Sequence, residues 1–147
     1  FPQGMAPGAE RRRHAGRMIK MLSLVAGILL GLAFANAAVM VLFGLVDAPP
    51  PPEGTPTAHF FAAFGPTGYL TLVKVLELVG GVLVAIPRTR CLGLLVLGPI
   101  LVNILAFHWY VAGDGFGGPM VLGLCGLALF LLWAERRAFA GLIASPR

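Results

Sequence analysis

The sequence predicts an all-α membrane protein, a four-transmembrane-helix bundle with a short interfacial helix between its first two spans. Three observations carry this. Of the 147 residues, 58% are hydrophobic and 12% charged, about half the charge of an ordinary soluble domain. The apolar residues gather into four runs of roughly 16 to 26 residues, enough for four crossings with short connections and little else. The basic residues gather at one set of run ends. The mean hydropathy is +0.88. A net charge of +5 would suit a nucleic-acid binder, but basic residues at the ends of apolar runs act as topology signals, not as a phosphate-binding face. No nucleic-acid partner is expected.

Residues 1–18 read as a basic amino-terminal tail. Phe1 to Ala9 are expected to form a disordered lead, and Arg11, Arg12, Arg13, Arg17 and Lys20 gather at the start of the first span, about 19–46. The apolar run continues through Val39–Val46 without a break, which favours a retained span over a signal peptide. Gly27, Gly31 and Ala35 recur every fourth residue, a stripe that lets a neighbouring helix approach closely. Pro49–Pro52 cannot continue a helix. Thr55 and Thr57 are positioned to cap a short segment, 57–64, whose Phe60, Phe61 and Phe64 suit the membrane interface and which is too short to cross.

The second span, about 69–87, carries Lys74 and Glu77 three residues apart, on one helical face. It ends at Pro87, Arg88 and Arg90, a tight connection that makes the next span an antiparallel neighbour. The third span, about 91–111, is expected to kink at Pro99, which cannot donate to the carbonyl of Leu95. Asn103, His108, Trp109 and Tyr110 follow. The fourth span covers about 119–134, and Glu135, Arg136 and Arg137 lie beyond it. One membrane domain, 19–140, is expected, with a tail at 141–147. Cys91 and Cys125 have no CxxC or metal-ligand spacing and read as small apolar residues.

Orientation follows from the basic residues. Ten of the eleven lie in the amino-terminal tail, the span 2–3 connection and the carboxy-terminal tail, while the other two loops hold Asp47, Glu53 and Asp114 and no base. Both termini are therefore expected in the cytoplasm. The eleventh base is Lys74. At about 1.5 Å per residue, Lys74 lies roughly 8 Å from the outer end of its span, Glu77 and Asn103 roughly 12 Å, Asn36 roughly 15 Å and His108 roughly 5 Å. Ionisable groups at such depth usually face a bundle interior or a cavity. Lys74, Glu77, Asn103, His108 and Asn36 are thus the candidate ligand-binding cluster, with an interhelical packing role as the plainer alternative. No catalytic residue and no metal ligand are assigned.

The order of features resembles the DoxX and DoxX-like family of small four-helix membrane proteins. The carriers are the proline-rich loop and Phe-rich segment before Gly68–Tyr69–Leu70, the block Lys74-x-x-Glu77-x-x-Gly80–Gly81 ending at Pro87–Arg88, and Pro99-x-x-x-Asn103–Ile104-x-x-Phe107–His108. The resemblance covers residues 18 to 140. It implies a bacterial inner-membrane location, partner membrane subunits, and a link to quinone-dependent redox complexes. A quinone or a lipid is the ligand expected of the polar cluster. The chain lacks a redox-active cysteine pair, so the expected role is an accessory subunit, or a purely structural one, and not an independent enzyme.

Overall fold

A computed structural model describes residues 7–143, and side chains over 10–141. Six helices and no strand are found among the described residues: α1 (Pro7–Leu42), α2 (Pro56–Phe64), α3 (Tyr69–Ala85), α4 (Arg90–Ala106), α5 (Gly118–Ala134) and α6 (Arg136–Ile143). A 3-10 turn, Gly65–Thr67, joins α2 to α3, and a π turn, Phe107–Ala112, extends α4.

Several boundaries differ from the sequence expectation, each for a local reason. The basic stretch from Arg11 to Lys20 is not a loose tail; it is the first part of α1, whose 36 residues contain no internal breaker. The other end of α1 comes at Leu42, four residues before the apolar run stops. Gly44 adopts φ 62, its N–H reaches Val41 O at 3.2 Å, and the Leu45 N–H reaches Met40 O at 2.8 Å. This Schellman pairing satisfies the last carbonyls and stops the helix while the sequence remains apolar. At the carboxy end, α6 follows the fourth span inside the expected membrane domain and runs to Ile143, into the expected tail. Of the expected lead, Phe1 to Ala9, residues 7–9 are helical as the first turn of α1, and 1–6, with the end of the tail, 144–147, lie outside the described residues.

The segment expected at the interface forms as α2, one residue earlier than read. The Thr55 hydroxyl accepts from the Ala58 N–H at 3.2 Å, and Pro56 occupies the first turn, where its missing donor costs nothing. α2 with its 3-10 turn is bent 83° from α3. It is tied to the end of α4: the Thr57 hydroxyl reaches Val111 O at 3.5 Å, and the Phe60 and Phe107 rings stand 5.0 Å apart. α4 itself runs through Pro99 as a helix. Its regular turn is lost later, at Phe107, where bonding widens so that the Gly113 N–H meets His108 O at 2.9 Å.

α1 packs against α3 and α5, and α4 packs against α3 and α5. Glycine sets the closest of these contacts. A Cβ at Gly31 would stand 2.5 Å from Gly81 O, and one at Gly81 would stand 2.8 Å from Gly31 O. The expected small-residue stripe is therefore a backbone-to-backbone seam between α1 and α3. Gly93 of α4 is pressed in the same way against the Val84 backbone. Leu30, Val84, Leu97 and Leu131 fill the centre with no exposed surface.

Much of the outward surface of the helices is apolar. Leu22, Leu29, Leu32, Val102 and Leu129 are all at least half exposed, a surface fit for lipid tails. Two helices are long and apolar enough to cross a membrane, Glu10–Leu42 and Arg90–Ala112. α3 makes a third when taken with the bent α2 segment; α5 is apolar but shorter. The all-helical character and two to three membrane-suited helices are thus features of the structure.

Candidate functional site

The buried face of α3 presents Glu77, Gly80, Gly81 and Val84, which recur at the three- and four-residue spacing of one helical stripe. The two glycines bring α1 and α4 close, and Glu77 is carried into the same interior, 3% exposed. A carboxylate at such a place needs a counter-charge. Lys74 supplies it from one turn away, its Nζ 2.7 Å from Glu77 Oε2 and its side chain 26% exposed. The pair therefore lies within one helix. It neutralises a buried acid and leaves the ammonium at the edge of the packed interior.

The other expected members of the cluster lie elsewhere. Asn36 and Asn103 are both exposed. Asn36 turns away from the packed side of α1, where Phe34 and Ala38 are buried. Asn103 sits beside Val102, which is two-thirds exposed. Matched depth along the helix axes does not become a shared site, because the azimuths differ. His108, in the π turn, bonds outward to Asp114, with Nδ1 at 2.9 Å from Oδ1 and 3.1 Å from Oδ2. Gly117 makes room for this ring: with φ 74, its missing Cβ would stand 2.6 Å from His108 Cδ2. The His108–Asp114 contact closes the Gly113–Gly117 loop. A shallow concavity at the same end is lined by Leu105, Ala106, Trp109, Tyr110 and Phe116, and none of the five expected residues borders it.

A second ionic centre lies at the opposite end of the core. Arg90, read from the sequence as a surface topology signal, is 2% exposed. Its Nη1 donates to Glu135 Oε1 at 2.9 Å and to Ser23 Oγ at 3.4 Å, and its Nε donates to Val84 O at 3.2 Å. Ser23 in turn donates to Lys20 O at 3.0 Å. One guanidinium thus joins α1, the end of α3, its own α4 and the α5–α6 junction. Gly27 provides the floor, since a Cβ there would stand 2.8 Å from Nε and 2.9 Å from Nη2. Nη2 is buried without a partner among the described residues. One signal in the sequence pointed here: Glu135 is an acid standing directly before Arg136 and Arg137, at an end of the molecule otherwise rich in bases.

Arg136 closes the same region from outside. It donates to Trp133 O at 2.7 Å and stands 4.6 Å over the Trp133 ring, while Phe139 of α6 packs on the core. α6 is therefore seated by one aromatic side chain and one cation–π contact.

Comparison with known proteins adds a partial relative. A stretch of 67 residues, 45% of this chain, is 36% identical to the uncharacterized protein YwoB of Bacillus subtilis (strain 168), of which it covers 42%. The match thus spans less than half the length of that relative. No family model matches the chain, and no solved structure matches it.

Proposed function

We propose that the chain is a non-catalytic accessory subunit of a quinone-linked redox complex in the bacterial inner membrane. In this reading α1, α3, α4 and α5 each cross the bilayer as a four-helix bundle. Both ends of the chain are cytoplasmic and α2 lies along the outer interface. Support for the topology comes from the side on which bases collect and from the 83° turn of α2 away from α3. The DoxX-like order of motifs supports the redox association. The observation that carries the ligand reading is the Lys74–Glu77 pair. An ammonium held by a buried carboxylate, and still partly exposed at membrane depth, can donate to a quinone carbonyl or a lipid headgroup oxygen.

The test is the quinone and lipid content of protein isolated in mild detergent. Wild-type protein is expected to retain quinone or a defined lipid, and Lys74→Met to lose it while remaining folded. Equal content in the two proteins would remove the ligand reading.

The second reading, a structural or assembly subunit with no ligand of its own, has a specific observation in its favour. Asn36 and Asn103 are spread over different outward faces, an arrangement suited to neighbouring chains and not to one pocket. It predicts that co-purifying membrane subunits are lost when these residues change and that no small molecule is found.

A further inference from the structure

The free face of α1 carries a polar group with no hydrogen-bond partner among the described residues. Five positions on that face are Leu22, Val25, Leu29, Leu32 and Asn36, all exposed. Their spacing is three, four, three and four, the period at which one helix meets another. At 100° per residue this stripe is centred about 140° around the helix from the buried stripe of Ala26, Leu30, Phe34 and Ala38, so the packing that holds α1 to α3 leaves it uncovered. Apolarity alone would explain such a face, since lipid tails cover leucine well. Asn36 is the exception. It lies six residues before the end of α1, about 9 Å in from that end of the helix. Its carboxamide makes no hydrogen bond among the described residues, and hydrocarbon offers none. The side chain is also too short to reach an interface as lysine does.

We propose that α1 pairs with α1 of a second copy along this stripe, with Asn36 meeting Asn36 across a two-fold axis. A carboxamide has two donors and one acceptor group, so two identical ones satisfy each other reciprocally. A two-fold axis places the same residue on both sides. The second copy is favoured over a different chain because the stripe needs no complement other than itself. α4 is the weaker candidate: Asn103 is flanked one turn away by the exposed Pro99, and one turn the other way by Phe107, against which α2 is seated. Between leucines there is no gain over lipid, so in a membrane the asparagine drives association; in water it would weaken it. The inference rests on α1 lying within a bilayer and is independent of any ligand at Lys74.

The experiment uses the full chain with Cys91→Ala and Cys125→Ala, reconstituted in phosphatidylglycerol–phosphatidylethanolamine vesicles. A single Leu29→Cys is expected to give a disulfide-linked dimer on mild oxidation, and a single Leu95→Cys on the exposed face of α4 to stay monomeric. Energy transfer between labelled copies, followed as lipid dilutes protein, is expected to show association weakened about 3- to 30-fold by Asn36→Leu and partly restored by Asn36→Gln. Monomers at every dilution, cross-linking through Leu95→Cys in place of Leu29→Cys, or an Asn36→Leu chain that associates as before would each overturn the proposal. Alkaline carbonate separates the two levels of failure. Protein released from vesicles overturns the membrane reading and this inference with it, whereas monomers retained in vesicles overturn this inference alone.

Discussion

At the scale of single residues, the molecule depends most on Arg90. Its charge is buried and is balanced by one carboxylate, Glu135. Removing one partner of a buried ion pair strands the other, which costs about 3–5 kcal/mol, whereas replacing both with apolar side chains is often close to neutral. Glu135→Ala is therefore expected to lower the midpoint of unfolding in detergent steeply, and Arg90→Met with Glu135→Leu to recover most of the loss. Equal loss in both variants would mean that the guanidinium's bonds to Ser23 and Val84 matter more than its charge. Lys74 and Glu77 were legible from spacing alone, because an i, i+3 pair has little choice of partner. Arg90 was not, because a base at the end of an apolar run looks the same whether it turns out to water or folds back over Gly27. Only the path of the chain through Pro87 and Thr89 decides this, the Thr89 hydroxyl donating to Leu83 O at 2.9 Å. Asn36 and Asn103 show the converse: depth could be counted, but direction around the helix could not be fixed before the packed faces were known.

At the scale of elements, glycine determines how closely helices approach and where they end. Gly31→Leu is expected to push α1 from α3 and to cost about 1–3 kcal/mol through overpacking. Gly98→Ala, with nothing within 4 Å of its added Cβ, is expected to be neutral or mildly stabilising on helix propensity. Far-ultraviolet thermal scans of the two variants in one detergent make the comparison. Gly44→Ala forces an alanine into φ 62 and is expected to destabilise by about 1–2 kcal/mol. The Gly27, Gly31, Ala35 stripe, Thr55 capping of α2 and the start of α3 at Tyr69 were all readable, since each follows from one residue type at one spacing. The end of α1 was misread because hydropathy does not see the left-handed turn that Gly44 makes. α6 was unseen because Arg136 and Arg137 look like the end of a membrane element, and what rebuilds a helix there is the docking of Phe139, a tertiary contact.

For the whole molecule, the proposed function depends on topology. In a background with Cys91 and Cys125 replaced, a single cysteine at Pro50 is expected to react with a membrane-impermeant maleimide added to intact cells, and one at Arg137 only after the cells are opened. Labelling of both from one side would refute the four-span topology. The length of α1 adds a mechanical consequence. Its 36 residues make a rod of about 54 Å, whereas a bilayer's hydrocarbon is about 30 Å thick. If α1 crosses a bilayer upright, nearly half of the rod stands outside the lipid core, and no hinge separates the two parts. Helices tilt to match the thickness of the bilayer around them. With α1 in a bilayer, a change of tilt imposed by lipid would be carried along the rod to the arginine-bearing end, as a sideways sweep.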